Sequence, residues 1–88
     1  MKPLKQGSHP QNLLTALLRG RNITAAYAVP HWHCFHLPDA RFQLKKRGYP
    51  VKTDILPNVH DGNHAAYYFR KKDIPAARRL AKKLGDIS

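Results

Sequence analysis

Residues 36–51, His36-Leu37-Pro38-Asp39-Ala40-Arg41-Phe42-Gln43-Leu44-Lys45-Lys46-Arg47-Gly48-Tyr49-Pro50-Val51, constrain this chain more than any other stretch. They predict a helix over about Pro38–Arg47, with Leu37, Ala40 and Leu44 on one face and three cations in the last turn. Gly48 stops that helix, Pro50 cannot prolong it, and Val51 opens a strand. A basic helix therefore runs almost directly into a strand. Phe42 breaks the pattern. At 100° per residue it lies about 200° from Leu44, so the two cannot face the same core. Either the helix is irregular near its start, or Phe42 packs against the hairpin, the last helix or a second subunit.

The flanking segments supply the remaining elements. Ser8 or His9 begins a first helix with Pro10 in its first turn, where the missing N–H is harmless. Leu13, Leu14, Leu17 and Leu18 form its apolar stripe, and Gly20 ends it. Arg21-Asn22-Ile23-Thr24 reads as a linker in which Ile23 enters the core and Thr24 caps a second helix over Thr24–Val29, stopped by Pro30. His31-Trp32-His33-Cys34-Phe35 reads as a turn anchored by Trp32 and Phe35. Beyond the basic helix, a strand over Val51–Leu56 is closed by Pro57, and Ala65–Arg70 forms its partner. Asp61-Gly62-Asn63 gives a turn signal within a loop running from about Asn58 to His64. Asp73 can cap a last helix with Pro75 in its first turn, the apolar stripe Ile74, Ala77, Leu80, Ala81 and Leu84, and Gly85 as its stop. The order is helix, helix, helix, strand, strand, helix. This is an α+β chain, mainly α, in the arrangement of a winged helix-turn-helix: three helices, a β-hairpin wing and a C-terminal helix. Residues 1–8 read as a flexible basic tail, residues 9–72 as the winged domain, and residues 73–88 as an amphipathic basic helix packed on the domain or at a dimer contact.

Charge narrows the partners. Sixteen Lys and Arg stand against five Asp and no Glu in 88 residues, a formal net charge of +11. Such a surface calls for a polyanion or an anionic membrane, and at this size nucleic acid is the better match. No apolar run approaches the ~18–20 residues of a spanning helix, so no membrane partner is expected. The single cysteine, Cys34, cannot form an internal disulfide, which points to a reducing, intracellular setting.

Several short motifs together resemble the small helix-turn-helix proteins encoded by bacteriophages and prophages: Leu13–Gly20, Asn22-Ile23-Thr24, Cys34-Phe35-His36-Leu37 and Lys45-Lys46-Arg47-Gly48-Tyr49-Pro50-Val51. The resemblance covers residues 11 to about 70. It implies a winged helix that binds double-stranded DNA in the cytoplasm of a bacterial host, as a phage transcriptional regulator or an excisionase-like factor. Two departures stand out. His36 occupies a position where the family usually has Arg, and Pro38-Asp39-Ala40-Arg41-Phe42 replaces a more regular pattern.

In that fold the third helix reads the major groove, so His36, Arg41, Gln43, Lys45, Lys46 and Arg47 are its candidate contacts. Arg suits the guanine edge, Gln the adenine edge, and Lys chiefly neutralises phosphate. The structural alternative is a solvated basic face. Lys52, Asn58, His60, Asn63 and His64 are candidates on the wing, where any exposed hairpin also needs short polar side chains. Arg21, Thr24 and Tyr27 are candidates for the DNA backbone, with a capping role for Thr24 as the alternative. The cluster His31-x-His33-Cys34-x-His36 would need His60 or His64 to complete a tetrahedral zinc site, and aromatic turn residues and DNA-facing imidazoles account for it better. No metal or cofactor is expected. The five Asp sit at turns or caps, and Cys34 beside histidines lacks an oxyanion hole or Gly-rich loop, so no enzyme is expected. Double-stranded DNA is the expected partner, bound by one chain or by a homodimer; a structured RNA and a host protein are the alternatives.

Overall fold

A computed structural model describes residues 2–34, 36–58 and 62–87, and of residues 55–58 and 62–64 the backbone alone. The elements run α1 (His9–Leu18), β1 (Ile23–Thr24), α2 (Ala25–Trp32), α3 (Leu37–Lys46), β2 (Lys52–Asn58), β3 (Gly62–Tyr68), a 3-10 turn (Lys71–Asp73) and α4 (Ile74–Leu84). The strands form one antiparallel sheet in the order β1-β3-β2. The architecture is α+β and mainly helical, as the sequence pattern predicts.

Hydrophobic periodicity accounts for the core. Leu13, Leu14 and Leu17 of α1 meet Leu37, Ala40 and Leu44 of α3, all buried, with Ile23, Ala28, Cys34, Tyr67 and Phe69 closing the cluster. From α4, Ala77 and Ala81 are buried, while Ile74, Leu80 and Leu84 pack more loosely at the edge of the cluster. α4 thus packs on the same core.

Local chemistry sets the helix ends. Ser8 Oγ caps α1 by accepting from the Gln11 N–H at 3.4 Å, and the Gln11 side chain reaches back to the Gly7 N–H at 2.6 Å. This is a near relative of the capping box. At the C-terminus of α3, Tyr49 N–H donates to the Leu44 carbonyl and Gly48 N–H to the Lys45 carbonyl, with Gly48 at φ +101°. Tyr49 and Leu44, joined by that hydrogen bond, are both buried, the apolar pair that commonly accompanies this closure. α4 closes in the same way, with Gly85 at φ +75° and Asp86 N–H on the Ala81 carbonyl.

The fold departs from the sequence reading at five places. Ile23-Thr24 is a strand as well as a linker, pairing with Tyr67 and Ala66 of β3. Pro30 does not stop α2, which continues through His31 and Trp32 to His33 at φ +52°. Proline leaves the carbonyl four residues back without its donor. That residue is Ala26, and both Ala26 and Pro30 are exposed, so water can serve the carbonyl. The hairpin is longer than predicted. Pro57 lies inside β2 opposite Asn63, and Asn58 pairs with Gly62, so the connection narrows to residues 59–61. Asp73 sits at the α4 N-cap but makes no side-chain capping bond, because the chain arrives there through a 3-10 turn. Finally, residues 2–7 are docked on the domain, with Leu4 packed against the core. Phe35 lies outside the described residues.

That docking converges on Asp86, which is 0% exposed. Its Oδ1 accepts from the Leu4 N–H at 2.8 Å and from Arg47 Nη2 at 2.6 Å. Its Oδ2 accepts from Arg47 Nε at 3.0 Å and from the Tyr49 hydroxyl at 2.5 Å. Arg47, with a side chain 11% exposed, also donates to the Lys2 carbonyl at 2.7 Å. Burial alone would raise the pKa of Asp86, but hydrogen bonds from Arg47, Tyr49 and Leu4, with the Arg47 charge, outweigh it and hold the carboxyl below its ordinary range. Burial first, and then the bond to Asp86, push the Tyr49 phenol well above its ordinary value.

Asp86→Ala strands the Arg47 guanidinium and the Tyr49 hydroxyl, and is expected to lower stability by about 3–5 kcal/mol, read from the urea midpoint near neutral pH. Because the folded pKa lies below the unfolded value of about 3.9, this stabilisation is complete above that value and is lost as pH falls through the folded pKa. The wild-type midpoint should therefore fall more steeply in acid than that of Asp86→Ala. Parallel pH profiles would contradict this.

Candidate nucleic-acid interface

α3 divides into faces that follow from its apolar spacing. Leu37, Ala40 and Leu44 point inward. Asp39, Phe42, Gln43 and Lys46, at i, i+3, i+4 and i+7, form the opposite ridge, and all four are exposed. Lys45 is exposed beside them, and His36 is exposed at the N-cap without a side-chain capping bond. Asp39 in the first turn and Lys45 and Lys46 in the last turn complement the helix dipole.

Two predicted contacts lie elsewhere. Arg47 is committed to Asp86 and the Lys2 carbonyl and does not project from the helix face. Arg41 is half-buried, with its guanidinium carbon 5.8 Å from the centroid of the Tyr67 ring and its Nε buried without an acceptor. α3 thus presents Lys45, Lys46, Gln43, Asp39 and Phe42 outward, while Arg41 and the C-cap Arg47 turn toward the body of the domain.

The N-terminal segment runs beside this face. An open groove is lined by Lys2, Lys5, His36, Asp39 and Gln43 among others, and both lysines are exposed. A reading of residues 1–8 as a free tail misses this juxtaposition. The available signal was the Ser8-x-x-Gln11 spacing, which predicts an ordered approach to α1.

The other predicted contacts are placed as follows. Thr24 Oγ1 accepts from the Tyr27 N–H at 3.3 Å, which is a capping role. Tyr27 is half-buried, stacked on His31 at 4.1 Å between centroids and edge-on to Trp32, and its hydroxyl accepts from Arg21 Nη1 at 3.4 Å. Arg21 is exposed. Lys52 is half-buried at the base of the wing, opposite Tyr68. At the far end Asn58 pairs with Gly62, Asn63 with Pro57 and His64 with Leu56 along the backbone, their side chains lying outside the described residues. His60 also lies outside them. Cys34 is fully buried while His31, His33 and His36 are exposed, so these four side chains do not converge. Among the described residues no three His, Cys, Asp or Glu side chains gather into a metal-sized group, and no helix is long and apolar enough to cross a membrane.

Comparison with known families gives one finding. A family model described as a winged helix-turn-helix domain matches residues 9–71, well over half of the chain. No curated protein and no solved structure matches it. The matched region contains α1 through the wing; the N-terminal segment, α4 and Asp86 fall outside it.

Structural and free cations should separate in stability measurements. Arg47→Ala strands a buried carboxylate and is expected to cost about 3 kcal/mol or more, whereas Lys46→Ala should stay within about 0.5 kcal/mol of wild type. Thr24→Ala, which removes a helix cap, should cost about 1 kcal/mol. Urea unfolding of the three variants checks the ranking.

Proposed function

The chain belongs to the winged helix-turn-helix domain family, and from that premise we propose that it binds double-stranded DNA in a sequence-dependent way. The observation that carries this reading is the outer ridge of α3, four exposed side chains on the face opposite the core, with further cations beside it. A helix of this kind fits the B-DNA major groove. In this reading Lys45 and Lys46, with Lys2, Lys5, Arg21 and Lys52, neutralise phosphates and set affinity. Arg41 adds a phosphate contact from the edge of the face, His36 a polar contact near the start of α3, and Thr24 and Tyr27 hold the start of α2 beside the backbone. The wing residues Asn58, His60, Asn63 and His64 approach the neighbouring backbone or minor groove. Gln43 suits the adenine edge, and Asp39 can accept from the cytosine amino group. Arg47 acts through the fold, holding α3 in place.

The cellular role we propose is that of a phage or prophage transcriptional regulator, or an excisionase-like architectural factor, in the bacterial cytoplasm. Binding and positioning are the whole of its chemistry in this reading, with no catalytic step. Single-stranded RNA is a poorer fit, since that mode stacks bases on exposed sheet aromatics, and Tyr67 and Phe69 are buried.

With ~6 phosphates neutralised, log K should fall with log salt at a slope near −5, measured by anisotropy with a labelled duplex between about 50 and 200 mM salt. Lys46→Ala should flatten the slope by about 1, and joint reversal of Lys45 and Lys46 to Glu should abolish binding. A flat salt profile, or tighter binding to folded RNA in competition, would count against DNA as the partner. Selection from a random duplex library gives the site, and a palindrome with half-sites about one helical turn apart would mean that two copies bind together.

A further inference from the structure

We propose that Phe42 is a specificity-determining residue of α3, its ring reading the C5-methyl group of thymine in the major groove. This rests on the duplex-DNA reading above and assigns it a recognition element. Phe42 is 63% exposed and is the one large hydrophobic side chain exposed among the described residues. The other aromatic side chains described, Tyr27, Trp32, Tyr49, Tyr67, Tyr68 and Phe69, are buried or half-buried. Phe42 does not stray from an irregular helix, since α3 is regular and its core stripe is intact. It stands at the middle of the outer ridge.

Its neighbours decide what can cover it. On a helix the side chains three and four positions away are adjacent. For Phe42 these include Asp39 before it and Lys45 and Lys46 after it, with Gln43 on the same ridge. The two lysines call for an anionic partner, while the ring calls for an apolar spot within that partner. An apolar protein patch would have to desolvate both ammonium groups without offering them a counter-charge. The major groove of duplex DNA meets both demands, because phosphates line its edges and the thymine methyl is the apolar feature of its floor. A-form RNA supplies the phosphates but not the apolar spot, having uracil without the methyl and a deep, narrow major groove that side chains cannot read.

The experiment replaces thymine with deoxyuridine, which keeps the pairing edges and lacks only the methyl. A duplex obtained by selection with the wild-type protein is remade with deoxyuridine at one thymine at a time. Binding is measured for wild type and Phe42→Ala, with sedimentation and urea unfolding alongside. Phe42 is exposed, so the variant should fold with unchanged stability. The expected result is that wild type loses about fourfold in affinity for each contacted methyl, the worth of one buried methyl group. Phe42→Ala should bind the thymine and deoxyuridine duplexes alike, with unchanged sedimentation. The inference is overturned if wild type prefers the selected sequence yet ignores every deoxyuridine, or if Phe42→Ala keeps the full deoxyuridine penalty. It is equally overturned if Phe42→Ala weakens all duplexes alike while dissociating a dimer, which would make Phe42 a contact between copies. Failure of the duplex-DNA reading looks different: the wild-type protein would then bind no duplex in a salt-dependent way.

Discussion

The carboxylate of Asp86 is the joint on which the pose of α3 depends. It takes donors from three other places in the chain: the N-terminal segment through Leu4, the end of α3 through Arg47, and the approach to β2 through Tyr49. Its own position follows from the turn that closes α4. A buried ion pair is not in itself a strong stabiliser, since desolvation offsets much of its Coulomb attraction. Its directional content is higher. Two parallel hydrogen bonds from a planar guanidinium fix angle as well as distance, so the end of α3 is located relative to both termini. The family match covers residues 9–71; Arg47 and Tyr49 of the brace lie within it, and Asp86 and Leu4 outside it.

The brace also changes which residues remain for recognition. α3 carries Arg41 and is capped by Arg47, and arginine is the residue best suited to bidentate reading of guanine. Arg47 is committed to Asp86, and Arg41 lies against Tyr67. What stays outward is a pair of lysines, an amide, a carboxylate and a phenyl ring. Lysine is a point charge on a flexible stem and carries little base information. Under the proposed DNA reading, affinity and selectivity would rest on different side chains of one helix, the lysines with Arg41 at the edge for the first and Asp39, Phe42 and Gln43 for the second.

Much of the fold was legible in local chemistry. The leucine stripes of α1 and α3 and the glycines at 20, 48 and 85 mark helices through short-range hydrogen bonding and periodic burial. Features that depend on distant partners were not legible in this way. Ile23-Thr24 is too short to show alternation and becomes a strand only because β3 offers it an edge. Pro30 is a helix breaker by propensity, yet the carbonyl it orphans belongs to the exposed Ala26. The candidate site was legible in the same uneven way. Lys45, Lys46, Gln43 and His36 are exposed, whereas Arg47, a candidate contact by sequence because nothing local distinguishes it from Lys46, is paired with Asp86.

The sequence by itself determined that a basic helix with one apolar stripe ends at Gly48 and Pro50, and that the alternating segments beyond it favour a hairpin. It also determined the net positive charge that limits the partners. Only the tertiary structure decided which cations of that helix are free. Asp86 lies 39 residues beyond Arg47 in the chain, and no local propensity can announce a pairing at that separation. The same holds for Phe42. Its departure from the core stripe is visible in the spacing, but its solitary exposure among charged neighbours follows from how the other aromatic side chains find places in or against the core.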